Sequence, residues 1–222
     1  MNCKKKCLKV KIFQPKACYK TPFSLKGIDT FPLPTYSNLR GMVYTAMGRK
    51  YKEDDKIEFS IQGTFESLYR DYWNAVKYGE DGKEKKPIQV PTLHNIRLVI
   101  HICSNIIDEI KNALEKPSEY LSLGRREDMI RIEEIREVEV EEEVDISNFD
   151  KSIIVNYNAY VPSKICDNLE INGVPFRLPS FWEIKDGFRI FTEMIDVRYI
   201  EAPIIIESGK IKLDKEGDPV WI

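Results

Sequence analysis

At 222 residues, 42% hydrophobic and 32% charged, the chain is large enough and balanced enough to bury one real core, which excludes disordered and fibrous classes. No apolar run reaches the roughly 18 residues of a membrane-crossing helix, and the basic start MNCKKKCLKV lacks a signal peptide's apolar core, so a cytoplasmic setting without membrane contact is expected. The net charge of −2 hides a division: residues 1–126 carry 23 Lys+Arg against 14 Asp+Glu, residues 127–222 carry 11 against 22, which predicts a basic face for polyanions and an acidic half turned elsewhere.

The first predicted element is a strand around Lys9 to Phe13, with Leu8, Val10 and Ile12 on one face and Lys9, Lys11 and Phe13 on the other. After a turn rich in proline, Ser37 is the expected N-cap of a helix whose apolar stripe is Leu39, Met42, Val43, Ala46 and Met47, closed by Gly48. Arg40 is out of place there, because the helix dipole disfavours a cation in the first turn. It marks either an anion held at the helix start or a link to a nearby carboxylate.

Residues 57–65 alternate as a second strand. The segment from Phe65 to Pro91 mixes Tyr69, Arg70, Tyr72, Trp73, Lys77 and Tyr78 with Lys83, Lys85 and Lys86. It fits a helical aromatic stripe or a long β-hairpin with its tip near Gly79 to Gly82. Aromatics between basic residues suit single-stranded nucleic acid, stacking bases while neutralising phosphates, although a core stripe beside a solvated lysine loop would look the same. Ile96, Leu98, Ile100 and Ile102 form the next strand face, opposite Arg97, Val99, His101 and Cys103. Ser104 caps a second helix carrying Ile106, Ile110, Ala113 and Leu114, which Pro117 ends.

Strand, helix, strand, strand, helix, strand is the order of a split βαββαβ unit, an α+β fold of ferredoxin-like (RRM-like) type. It would put both helices on one sheet face and leave the face of Lys9, Lys11, Arg97 and His101 available, although no RNP1 pattern is present. Next comes YLSLGRRED, Tyr120 to Asp128, read as a short strand, a glycine bend and a resumed strand from Met129 to Ile132. Gly124 can adopt positive φ, and Arg125 and Arg126 offer forked donors suited to phosphate. The plainer reading pairs them with Glu127 and Asp128. An acidic strand through Val138 and Val140 follows, then a β-rich extension over 146–222 with turns at Asn172-Gly173, Asp186-Gly187, Ser208-Gly209 and Glu216-Gly217.

Phosphate-loop, dinucleotide, zinc-protease and serine-hydrolase motifs are absent. Cys3, Cys7, Cys18, Cys103 and Cys166 show no metal-ligand spacing and are expected to be free thiols, with no metal and no cofactor. His94 and His101, seven residues apart on one strand, would face opposite sides, which disfavours a two-histidine ribonuclease site.

PLPTYSNLRGMVYTAMG, YLSLGRRED and IKLDKEGDPVWI together resemble the fifth CRISPR-associated (Cas) protein family of the RAMP superfamily, most closely its type I-B members. The resemblance implies a ferredoxin-like domain over 1–145 with a thumb hairpin inserted at about 65–92, and a β-rich subdomain over 146–222. It also implies a non-catalytic, RNA-binding subunit of the Cascade ribonucleoprotein in antiviral defence. Such a subunit caps the 5′ handle of the guide RNA and contacts a backbone subunit and the large subunit. Carried onto this chain, Tyr36, Ser37, Arg40 and Gly41 approach the handle with Gly124, Arg125 and Arg126. Tyr72, Trp73, Lys77, Lys83, Lys85 and Lys86 fall in the thumb, which favours the hairpin, and Arg97 lies on the open sheet face. One branch of the family cuts the guide precursor with a Tyr, Lys, His set in which Lys and His are adjacent; here Leu93 precedes His94 and Ile100 precedes His101. An endoribonuclease acting on repeat RNA is the second reading, and a purely structural adaptor the third.

Overall fold

The computed structural model describes residues 4–22, 27–52, 54–79, 82–146 and 152–222, with backbone only at 4, 75–79, 82–86 and 142–143. The first half of the chain runs β1 (Lys4–Ala17), β2 (Tyr19–Lys20), β3 (Thr30–Phe31), α1 (Tyr36–Met47), β4 (Ile57–Thr64), β5 (Ser67–Gly79), β6 (Gly82–Ser104), α2 (Ile107–Glu115) and β7 (Arg131–Asp145). The second half adds β8 (Ile153–Val155), β9 (Asn158–Pro162), α3 (Ser163–Asn168), β10 (Val174–Lys185), β11 (Phe188–Ile200), β12 (Ile204–Ile206) and β13 (Lys210–Asp214). One sheet in the order β10-β11-β9-β4-β6-β1-β7-β13 carries the molecule, with β5 also paired to β6. Its central strands β4, β6, β1 and β7 are all antiparallel neighbours.

Period-two alternation decides which side of each strand is dry. Leu8, Val10 and Ile12 of β1 and Ile96, Leu98, Ile100 and Ile102 of β6 meet α1 and α2 in the main core. The start of α1 differs from expectation by two residues. Thr35 is the N-cap, its hydroxyl accepting from Asn38 N while the Asn38 side chain accepts from Thr35 N, and Ser37 is buried inside the first turn. Gly48 closes the helix in the left-handed conformation. Ile106, not Ser104, caps α2; the Ser104 hydroxyl still accepts from Ile106 N.

Residues 67–94 form a hairpin, paired from Ser67 opposite His94 to Gly79 opposite Gly82. Residues 80 and 81 at its expected tip lie outside the described residues, as do the side chains of Lys77, Lys83, Lys85 and Lys86. Between α2 and β7 the two expected short strands reduce to one bridge, Ser122 to Met129, because the intervening loop bonds to the end of β1 instead.

Two expectations about the sheet's second face are overturned. The face of Lys9 and His101 is not open: the ending IKLDKEGDPVWI folds across it. Lys9 is 2% exposed, and its Nζ donates to Asp214 at 2.7 Å and to Glu216 and Asp218 at 2.6 Å each. His101 is buried against Asp214 at 3.1 Å, Gln62 donates to the Pro219 carbonyl at 2.7 Å, and Trp221 N donates to the Ser60 hydroxyl at 3.0 Å. The acidic half is therefore folded onto the basic half, with further ion pairs from Lys6 to Glu137 and from Lys11 to Glu134. The second correction concerns the thiols. Cys7 and Cys103 stand opposite each other on β1 and β6 and are joined as a disulfide under Val138, Val140 and Val220. Cys18 and Cys166 are free and buried, and Cys3 lies outside the described residues. No helix among the described residues is long and apolar enough to cross a membrane.

Candidate nucleic-acid interface

The glycine bend at residues 120–132 is built around one buried carboxylate. Asp128 is fully buried, and its Oδ2 accepts from Cys18 N at 3.0 Å, from Arg125 N at 3.0 Å and from Arg125 Nε at 2.9 Å. Arg125 Nη2 completes a bidentate pair to Oδ1 at 2.7 Å. Burial opposes the Arg125 charge, but the Asp128 partner outweighs it and holds the guanidinium above its ordinary pKa. Gln14 ties in the same loop by donating from Nε2 to the carbonyls of Leu123 and Asp128, and its Oε1 accepts from the Tyr19 hydroxyl. Gly124 has φ +104°, and a Cβ there would sit 3.0 Å from the Cys18 carbonyl oxygen. The predicted close approach of backbone is real, and what it approaches is the chain itself.

Arg126 behaves differently. It is exposed and makes no hydrogen bond or ion pair among the described residues, which leaves its fork for a ligand. It opens onto a groove of about 1030 Å³ shared with Thr45, Leu114, Ser118, Tyr120 and Met129. Tyr120, 90% exposed, supplies an aromatic face there and Met129 a polarizable one. The strand reading of YLSL gives Tyr120 no role, although an aromatic four residues before the bend glycine is a usable signal.

The β5–β6 hairpin is fixed to this bend. The Arg125 guanidinium lies 4.7 Å from the centre of the Trp73 ring, and Trp73 Nε1 donates to Asp71 at 3.1 Å. Tyr72, on the other side of the strand, is 70% exposed, with its hydroxyl accepting from Gln89 at 2.6 Å. Arg97 is exposed, lies over Phe13 at 5.3 Å and reaches Glu133 at 3.4 Å; Arg131 covers the same ring at 4.8 Å.

The helix-start residues are elsewhere. Tyr36, Ser37 and Arg40 are buried, and Gly41 faces Trp182 at ordinary contact distance. Arg40 Nη2 donates to the Ile57 carbonyl at 3.3 Å, at the end of the sheet where Cys7 meets Cys103. Arg125 packs beside Cys18, the residue after the other end of β1. Burial pulls the Arg40 pKa down, with Tyr44 and Glu193 acting the other way. Among the described residues, Asp214, Glu216 and Asp218 form the one acidic cluster with metal-ligand spacing, and the Lys9 ammonium occupies the position a cation would take.

The family profile described as CRISPR-associated protein (Cas_Cas5) matches residues 7–164. A chain from a solved CRISPR RNA-guided surveillance complex superposes at TM-score 0.64 and 14% identity, covering 90% of both chains, a likeness of fold. A CRISPR protein from Archaeoglobus fulgidus is 14% identical over 97% of both chains at TM-score 0.48, and a Cas protein is 13% identical over 91% of this chain and 98% of its own at 0.46. No curated protein matches.

Proposed function

The chain belongs to the CRISPR-associated Cas5 family, and from that premise we propose a non-catalytic subunit of a CRISPR surveillance complex that holds the 5′ handle of the guide RNA. The strand order β4-β6-β1-β7 with α1 and α2 on one face supports a ferredoxin-like core, with β5 and the first part of β6 as its thumb. The observation that carries the reading is the groove at the glycine bend. An unpaired guanidinium and a nearly fully exposed tyrosine face one cavity, beside a hairpin that displays Tyr72. Single-stranded RNA is bound by this combination of phosphate neutralisation and base stacking. Arg125 contributes by holding the bend and the thumb root in place, and Arg126 meets phosphate.

The experiment is co-expression with guide RNA and the other complex subunits, then sequencing of the RNA retained. RNA with a uniform 5′ end is expected, and the double variant Tyr120→Ala, Arg126→Ala should retain about ten-fold less. Retention unchanged in that variant would remove the groove from the reading.

One placement favours the second reading, a metal-independent ribonuclease. Lys16 stands directly across from His94 on β1 and β6, and Tyr69 packs edge-on to His94 with ring centres 6.4 Å apart. His94 is half exposed, with Glu66 at 3.4 Å from Nδ1. Clean cleavage of repeat RNA in EDTA that disappears in His94→Ala would decide for it.

A further inference from the structure

Alternation along β1 and β6 turns the side chains of Cys7 and Cys103 to the face of Lys9 and His101, which the end of the chain covers. Both sulfurs are buried among Val138 and Val140 of β7 and Val220 of that end, with Ile222 packed against them. The two Cα atoms stand 4.4 Å apart as directly opposed partners in the β1–β6 ladder. The sheet sets that spacing, so the two cysteines stay opposed whether or not the bond is present, and the bond can reform after it breaks.

The bonded and unbonded pairs need different amounts of room. Two bonded sulfurs sit about 2 Å apart, whereas two thiols in van der Waals contact sit about 3.5–4 Å apart. Reduction therefore adds on the order of 1.5 Å to a closely packed cluster, and a packed interior yields where it is least fastened. β7 is held on both sides, by β1 and by β13. The end of the chain is held by individual hydrogen bonds: Val220 N donates to the Lys212 carbonyl at 2.9 Å and Trp221 N to the Ser60 hydroxyl at 3.0 Å. Val220 is thus the neighbour that gives way.

We propose that Cys7–Cys103 is a redox-sensitive latch on the carboxy-terminal segment: oxidation closes residues 219–222 onto the sheet, and reduction by a dithiol loosens them. A thiolate of the dithiol attacks one sulfur and breaks the Cys7–Cys103 bond, and its second thiol then displaces the protein sulfur from the mixed disulfide. Two electrons and two protons pass to the protein, which gains two thiols, while the reductant leaves as a disulfide. An oxidised dithiol runs the same exchange backwards. Because the sulfurs are covered, attack waits for Val220 to lift, which protects the bond in reducing surroundings. Residues 214–218 stay bound through Lys9 in either state. The latch lies on the sheet face away from α1 and α2 and makes no use of the RNA reading.

The test compares the whole chain before and after dithiothreitol, by thiol alkylation with peptide mapping, hydrogen exchange and thermal melting. Without reductant, Cys7 and Cys103 should be recovered joined and closed to alkylation. Dithiothreitol should open them slowly in the folded protein, with exchange at the Val220 and Trp221 amides rising roughly ten-fold or more while that of the strand amides around Ile100 stays constant. The melting temperature should fall by roughly 5–15 °C, as for loss of a link closing a long loop, and return on reoxidation. The variant Cys7→Ala, Cys103→Ala should be indifferent to dithiothreitol in both readouts, which ties the response to this pair. Both thiols free in the untreated protein, reduction only after unfolding, exchange unchanged at Val220 and Trp221, a rise spread evenly over the sheet, or a response in the double variant would each overturn the proposal.

Discussion

The two ends of the sheet start from similar sequence chemistry and finish in opposite states. At the Lys9 end, cations of β1 meet a carboxy-terminal segment rich in carboxylates, and their charge is used up inside the protein. At the glycine-bend end, two adjacent arginines meet one buried carboxylate, and only the first is consumed. What sets the availability of a cation is the number of carboxylates that the fold brings within reach. Counts of Lys and Arg along the chain do not report it, and neither does the sign of a half.

The largest effect is expected where that internal pairing is removed. Lys9→Met removes the ammonium shared by Asp214, Glu216 and Asp218, leaving Arg136 on Glu216 as the remaining cation of the cluster, which should cost about 3–5 kcal/mol at neutral pH. In the intact protein, burial works against the Asp214 charge, but His101 and Lys9 outweigh it and hold its carboxyl far below the ordinary range. The unfolded chain then takes up the proton first, so stability should fall as pH drops below about 4. The Lys9 pKa is raised by its three carboxylates against the burial that opposes its charge, so its contribution persists through neutral pH and is lost only in strong base. In Lys9→Met the acid limb should reverse, with mild acidification relieving repulsion and raising the melting temperature. A melting series from pH 7 to pH 3 on both proteins checks the sign, and parallel curves would break the contrast between the two ends.

A smaller effect is expected at Gly124. Alanine there must hold φ near +104° and push its Cβ against the Cys18 carbonyl at 3.0 Å. A loss of about 1–3 kcal/mol follows from the backbone strain alone. Because the bend is fixed to the residue after β1 through Asp128 and to the β5–β6 hairpin through Trp73, hydrogen exchange should rise in residues 71–74 and 120–130 together. A change confined to the bend would show that the base of the hairpin is held independently.

Local physics made much of the architecture legible in the sequence. The faces of Leu8-Val10-Ile12 and Ile96-Leu98-Ile100 follow from alternation, α1 from its apolar stripe and Gly48, and the turn at Asp186-Gly187 from its residues. The Lys9 face was not legible, because alternation says which side chains share a face and nothing about what covers it. The cover comes from residues 205 or more positions away. The Cys7–Cys103 link spans 96 residues and has the same cause. For the candidate site, the bend, its glycine and its arginines could be read. Which arginine stayed free could not, since an i, i+3 pair to Asp128 and an i, i+2 pair to Glu127 compete within one short loop.

The smallest expected effect on stability separates those neighbours most sharply. Arg125→Ala strips the bidentate partner from a fully buried carboxylate, and the amides of Cys18 and Arg125 remain to hold it. A loss of about 1–3 kcal/mol is expected, with RNA binding changed only as far as the bend loosens. Arg126→Ala removes an exposed side chain with no partner among the described residues and should move stability by less than about 0.5 kcal/mol. Its signature is instead in the salt dependence of RNA affinity, where losing one phosphate contact lowers the slope of log K against log salt by about 0.7. Melting curves and filter binding at several salt concentrations read both quantities on the same two variants. If the slope falls for Arg125→Ala and stays constant for Arg126→Ala, then the guanidinium locked to Asp128 is the one that reaches RNA, and pairing within the fold does not decide which cations are available to a ligand.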